Sequence, residues 1–268
     1  MQNNARVAAV TGASSGIGLA TAKLFADRGY IVYCLSRSAP PDPRLIHIKT
    51  DVTIEAEVEA AFRRIEAERS RLDVLVSNAG MGISGPVEST SLADAKYQFD
   101  VNFFGLHLCA KYAAPLMRKT GGGRIIAVSS VAAVFGLPYQ GFYSATKTAL
   151  NVLAQSLGIE LARFNIRVVT FMCGDTKTGF TDVRVKCGGD ELYGKTVEAS
   201  LALMEKDERE GMPPEAPAKK IVALAEAKNP KPLSSIGFKY KLFCFLSKAL
   251  PIRVLFWMVK KIYTKEAE

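Results

Sequence analysis

Two histidines, His47 and His107, are all that this 268-residue chain contains. A histidine-built metal site or a Ser-His-Asp triad is therefore not expected, and each ring is read as a packing or surface group. The five cysteines, at 34, 109, 173, 187 and 244, are odd in number and include no Cys-x-x-Cys pair. They support neither a disulfide framework nor a zinc clip, and a reduced, intracellular setting fits them best. Twelve prolines and 21 glycines are too few for a fibrous or low-complexity chain. Met1 to Arg6 is polar and the apolar run Val7 to Val10 is too short for a secretion signal. Acids are missing from one stretch only: between Lys228 and Lys265 there are nine Lys or Arg and no Asp or Glu. The other 26 bases face 26 acids, so the net charge of +9 belongs to the tail.

What is present is ordinary globular composition, 49% apolar and 23% charged, in a chain long enough to bury a large core. Strands are expected at Val7–Val10, Ile31–Leu35, Leu45–Lys49, Val74–Val76, Arg124–Ser129 and Arg167–Phe171. Helices are expected at Gly16–Asp27, Ile54–Glu68, Leu92–Arg118 (in two pieces) and Tyr143–Phe164. This alternation predicts an α/β fold, a parallel sheet covered on both faces. Ser36 to Pro43 is too rich in proline for an ordinary crossover helix. Beyond Gly174 the alternation fades. Residues 178–212 read as a loop-and-helix insert that sets substrate choice. Pro213-Pro214 opens a helix running to Ala227, and 228–235 reads as a connector. Residues 1–235 are expected to form a catalytic domain and 236–268 a basic helical extension.

The first strand is followed by Thr11-Gly-Ala-Ser-Ser-Gly-Ile-Gly18 and then a helix. Gly12, Gly16 and Gly18 let backbone approach a pyrophosphate, while Ser14, Ser15 and Ile17 present amides at the helix N-terminus. A glycine-rich turn without a ligand is the competing reading. Further along come Asn78-Ala79-Gly80, Ser130 and Tyr143-x-x-x-Lys147. Together, in this order and spacing, the four segments resemble the single-domain branch of the short-chain dehydrogenase/reductase family. The resemblance spans about the first two-thirds of the chain. It implies a Rossmann-type, doubly wound sheet that binds NAD(P)(H).

Cofactor choice is read at the end of the second strand. An acid there holds the ribose 2′-hydroxyl of NAD(H), whereas this chain has Ser36 and then Arg37. A guanidinium pairs with a 2′-phosphate, so NADP(H) is expected, with NAD(H) as the alternative. The family's second basic position is Ser15 here. The resemblance also places Asp51 and Val52 at the adenine, and Asn78, Ala79 and Gly80 beside the cofactor. Asp51 could equally cap the helix before Glu55. Thr178 matches the residue that contacts the carboxamide, with Thr176 its backbone partner. Cys173 stands where the family has proline.

Tyr143 and Lys147 lie one helical turn apart on one face. A phenol with an ordinary pKa near ~10 exchanges protons poorly at neutrality. A neighbouring ammonium, aided by the positive nicotinamide of the oxidised complex, is expected to lower that value, making Tyr143 the acid in reduction and the base in oxidation. Lys147 is also expected to hold the nicotinamide ribose. By resemblance, Ser130 steadies the developing oxyanion. Asn102 matches the family residue that kinks its helix and holds a water linking the lysine to solvent; an ordinary polar position in a helix is the competing reading. Ser129 is the neighbouring alternative to Ser130.

The tail, 236–263, is interrupted by Lys248, Pro251 and Arg253, so two short amphipathic helices about Pro251 are expected rather than a span of ~20 apolar residues. On the second, Arg253 and Lys260 share one face, and Val254, Leu255, Met258, Val259 and Ile262 spread over the other. Aromatics interleaved with bases suit an anionic membrane surface; packing on the body or on a second subunit is the alternative. No nucleic-acid motif accompanies the charge. The expected protein is a cytoplasmic NADP(H)-dependent oxidoreductase acting on a lipophilic ketone or aldehyde, with peripheral membrane contact. A homodimer or homotetramer is expected from the family. The competing readings are an NAD-dependent alcohol dehydrogenase and a nonenzymatic, membrane-recruited dinucleotide-binding protein.

Overall fold

The computed structural model describes residues 5–187 and 193–264. Parts of the insert (188–192) and of the tail (265–268) fall outside the described residues. Strands β1 (Val7–Thr11), β2 (Ile31–Ser36), β3 (Ile46–Lys49) and β4 (Val74–Ser77) are followed by the two-residue β5 (Ile83–Ser84). Then come β6 (Gly123–Ser130), β7 (Ile166–Cys173), β8 (Val185–Lys186) and β9 (Leu233–Ser235). Seven of them form one sheet in the order β3-β2-β1-β4-β6-β7-β9, every pairing parallel. The seventh strand corrects the sequence expectation: β9 lies in the stretch taken as a connector and pairs with β7 from Thr170 to Met172. Three residues after two prolines carry too little pattern to show a strand. β5 and β8 form a separate parallel pair.

Helices α1 (Gly16–Asp27) and α7 (Glu215–Glu226) cover one face of the sheet. Helices α2 (Glu55–Arg69), α4 (Gly105–Lys119) and α5 (Gly141–Ala162) cover the other. Strand alternation assigns the cores: Val7 and Ala9 of β1 face α2 and α4, while Ala8 and Val10 face α1 and α7. Both faces are buried, so the strands read as continuous apolar runs. The expected two-piece helix is α3 (Leu92–Phe99) joined to α4 through a π turn, Asp100–Phe104. The extra residue there sets Asn102 inward and almost fully buried. Helix α6 (Gly194–Arg209) lies in the insert, and α8 (Phe238–Ala249) and α9 (Ile252–Tyr263) flank Pro251 as expected.

Strand order reverses between β1 and β4, where their crossovers depart to opposite sides. A crevice therefore opens at the carboxyl ends of the strands. Thr11, Ser36, Ser77, Ser130 and Cys173 end the strands that line it.

Candidate active site

The glycine loop is built for close approach. Gly12 has φ +64°, and a Cβ there would lie 2.9 Å from the Ala79 Cα. A Cβ on Gly18 would meet the Gly12 carbonyl oxygen at 2.4 Å. Only glycine permits the loop to nest against Asn78-Ala79-Gly80. Thr11 Oγ1 accepts the amides of Asn78 and Ala79, both at 2.9 Å, and Asn78 Nδ2 donates to the Thr11 carbonyl at 3.0 Å. Helix α1 starts at Gly16 with no acid in its first turn and no side-chain cap from Ser15, whose side chain is exposed. Its N-terminal amides and positive dipole end thus face the crevice unshielded, which fits a pyrophosphate. Ser14 and Ile17 flank this turn, both half-buried.

Arg37 follows the last residue of β2, is exposed, and makes no ion pair among the described residues. Asp51 does not cap α2. The capping position is Ile54, and the Asp51 carboxylate instead accepts from the amide and hydroxyl of Thr53 at 3.0 and 2.8 Å. The Asp51 amide donates to the Glu57 carboxylate, so the turn is held from both ends. Val52 is buried against Gly105.

Across the crevice, the loop after β7 is tied down on several sides. The Thr176 hydroxyl donates to the Gly174 carbonyl at 3.0 Å, and the Cys173 sulfur lies 3.3 Å from it. Cys173, in place of proline, continues β7 opposite Ser130 and still closes this turn. Met212 brackets the loop, accepting the Lys177 amide and donating its own to the Asp175 carbonyl. Thr178 reaches the glycine loop: a Cβ on Gly16 would sit 3.3 Å from its side chain. The dinucleotide-facing residues expected from sequence therefore lie on both flanks of one crevice.

At its floor the four expected catalytic residues converge. A Cβ on Gly80 would be 3.3 Å from Asn102 Oδ1 and 3.6 Å from Lys147 Nζ. The Asn102 amide is occupied by the main chain of Met81, accepting its N–H at 2.8 Å and donating to its carbonyl at 3.0 Å. It also donates to Thr146. Ser130 ends β6 and accepts the Ala132 amide. Its hydroxyl lies close enough to the Tyr143 phenol to favour that phenol's ionised form. Ser129, the alternative, is buried and directed at the main chain of Lys147.

Burial dominates the electrostatics. Crowding of apolar atoms pushes the Tyr143 phenol up to about 12, with the Ser130 hydroxyl pulling the other way and Glu208 adding to the rise. Lys147 is not what governs it. The Lys147 ammonium donates to the Val128 carbonyl at 3.0 Å and is itself brought down to about 8 by burial. Burial is the largest cause of both shifts. The phenol is thus held neutral, as a proton donor needs.

Four residues beside the site have no signature in the sequence. Phe180 packs on the Tyr143 ring, centroids 5.9 Å apart. Arg184, nearly sealed from solvent, pairs with Glu208, which also accepts from the Thr181 hydroxyl at 2.6 Å. Tyr240 of α8 reaches back to the loop after β7. Phe180, Arg184 and Glu208 come from the insert, where no periodicity marks a site-facing position. Tyr240 sits in an aromatic run that reads as tail.

The family model for "short chain dehydrogenase" matches residues 6–186. The chain is 37% identical over 259 residues to the 3-ketodihydrosphingosine reductase of Bacteroides thetaiotaomicron, covering 95% of this chain and 96% of that one. It is 28% identical over 278 residues to the NADPH-dependent 1-acyldihydroxyacetone phosphate reductase of Saccharomyces cerevisiae, covering 97% and 91%. A short-chain dehydrogenase from Streptomyces avermitilis superposes with a TM-score of 0.83 at 26% identity, over 98% of each chain. The seven-stranded Rossmann-type sheet, the matched model and the relatives agree: the chain belongs to the short-chain dehydrogenase/reductase family, oxidoreductases that interconvert carbonyl and alcohol groups.

Proposed function

We propose that this protein is an NADPH-dependent reductase of a lipophilic ketone, with a long-chain 3-keto sphingoid base the first substrate to test. The observation that carries this reading is the convergence of Asn102 and Lys147 on Gly80 at the floor of the crevice, with the Lys147 ammonium beside the Tyr143 ring. A bound reduced nicotinamide supplies hydride to the carbonyl carbon. Tyr143 donates its phenolic proton to the carbonyl oxygen as negative charge develops there. The Ser130 hydroxyl donates to the same oxygen and steadies that charge. Lys147 provides the positive charge that favours the resulting phenolate, and holds the cofactor ribose. Asn102 fixes Met81 and, through Thr146, the turn of α5 that carries Tyr143 and Lys147.

NADPH is favoured by Arg37, which has no acid to neutralise it and stands where a 2′-phosphate would lie. The NADPH-dependent yeast relative points the same way. Gly12, Ser14, Ser15, Gly16, Ile17 and Gly18 are assigned to the pyrophosphate, and Asp51 and Val52 to the adenine. Asn78, Ala79 and Gly80 are assigned to the adjoining cofactor surface, and Thr176 and Thr178 to the carboxamide. The lipophilic preference rests on Phe180 over Tyr143 and on the lipid-type substrate named for the Bacteroides relative. Purified protein mixed with NADPH and a panel of 3-keto sphingoid, 3-ketoacyl and short polar ketones tests the reading. Loss of nicotinamide absorbance with the long-chain ketones is expected. Turnover confined to short polar ketones, or to alcohols with NAD, contradicts it.

A further inference from the structure

Helix α8 is amphipathic in the unusual sense. Phe238, Leu242, Phe245 and Ala249 recur at helical spacing and form one stripe, and that stripe faces solvent. Phe238 is 81% exposed, Phe245 66% and Leu242 43%. The opposite side of the helix is the one that holds the body. Its Tyr240 hydroxyl donates to the Asp175 carboxylate at 2.7 Å and accepts the Asp175 amide at 3.0 Å. The Tyr240 ring also fills the space that a Cβ on Gly174 would take. α8 is therefore anchored, and its apolar stripe is left over rather than misplaced. Lys241 and Lys248 flank the stripe and, like Arg253, Lys260 and Lys261 of α9, make no ion pair among the described residues. On α9, Trp257 is 61% exposed between Arg253 and Lys260, while Leu255 and Val259 are buried in the body. This corrects the expected apolar face of α9, because Val254 and Ile262 are exposed.

We infer that α8 is a membrane-docking helix that seats Phe238, Leu242 and Phe245 in the interface of an anionic bilayer, with Lys241 and Lys248 on the headgroups. Each tail helix has 12 residues and no described helix is long and apolar enough to cross a bilayer, so the helix lies in the interface plane. Lys239, on the body-facing side, pairs with Asp175 and Asp207, but the bases flanking the stripe, Lys241 and Lys248, have no acid partner among the described residues, and their complement is anionic lipid. A second copy of the chain is the poorer occupant: a twofold contact on this face would bring the same bases together. The docking does not depend on the proposed reaction, and its test needs no turnover.

The full chain is floated with vesicles of phosphatidylcholine alone and of phosphatidylcholine with phosphatidylglycerol. Flotation is expected with the anionic vesicles, weakening as salt rises. Phe245→Glu combined with Leu242→Glu is expected to lower the floated fraction at least roughly tenfold. Lys241→Glu with Lys248→Glu is expected to remove the anionic preference. All four positions are exposed or flank exposed side chains, and an unchanged melting temperature confirms folding. Failure of the parent protein to float, or equal flotation of the variants, overturns the inference. So does sedimentation showing a dimer that Phe245→Glu splits, which would assign the face to a second copy.

Discussion

The Lys147 ammonium nitrogen lies 5.8 Å from the centroid of the Tyr143 ring while donating to the Val128 carbonyl at 3.0 Å. The cation is near enough to favour a phenolate, yet its hydrogen bond is given to β6 and not to the phenol. In the proposed reaction, proton donation by Tyr143 starts from a neutral group pushed up to about 12, beside an ammonium brought down to about 8. The rate constant kcat/KM for ketone reduction is expected to stay level from mildly acid pH to about 8 and to fall above it, as Lys147 loses its charge. A reduction rate that climbs through that range would contradict the assignment.

The same burial makes Lys147 costly. Its folded value is depressed from 10.5 to about 8, so the fold disfavours the charged form. The penalty is fully present below about 8 and is lost as pH rises past the unfolded value of 10.5. Lys147→Met is expected to raise stability at neutral pH by about 1–3 kcal/mol, partly offset by the bond lost to Val128, while removing activity. Denaturant unfolding of both proteins at neutral pH and near pH 10.5 tests this. A gain that does not shrink at the higher pH rules out the charge explanation.

In the proposed reading, Arg37 carries the cofactor preference without help from Ser15. Arg37→Asp removes a phosphate partner and adds a like charge, so the ratio of kcat/KM with NADPH to that with NADH is expected to fall at least ~100-fold. An unchanged ratio would show Arg37 to be an ordinary surface charge.

Tyr240 ties α8 to the loop that bears Thr176 and Thr178. Tyr240→Phe leaves Asp175 without both bonds and is expected to cost about 1–2 kcal/mol in stability. KM for NADPH is expected to rise several-fold, with kcat less affected. Equal cofactor KM in the variant would limit Tyr240 to anchoring the tail.

Within the insert, buried Arg184 pairs with half-buried Glu208. Arg184→Met alone strands a carboxylate and is expected to destabilise the protein by about 3–5 kcal/mol. Arg184→Met with Glu208→Met is expected to recover much of that loss. Thermal unfolding of the single and double variants decides whether the two act as a pair.

The strand-helix alternation from Val7 to Phe171 was legible because buried parallel strands and amphipathic helices impose distinct patterns. The glycine loop, Asn78-Ala79-Gly80, Ser130 and Tyr143-x-x-x-Lys147 were legible because each performs its task within a few residues. β9 was not, since three half-buried residues gain strand character only from pairing with β7. Nor were Phe180, Arg184 and Glu208, which meet Tyr143 through tertiary packing alone. The weight of burial at Tyr143 is not legible for a related reason: four-residue spacing shows that Lys147 is near, but not how much water both groups have lost.

Single-turnover reduction by the Tyr143→Phe variant, saturated with NADPH and given a long-chain ketone, tests the central assignment most directly. Cofactor binding is expected to hold within a few-fold while hydride transfer slows by about 10²–10⁴. Transfer at the parent rate would show that the proton reaches the carbonyl oxygen from somewhere other than this phenol.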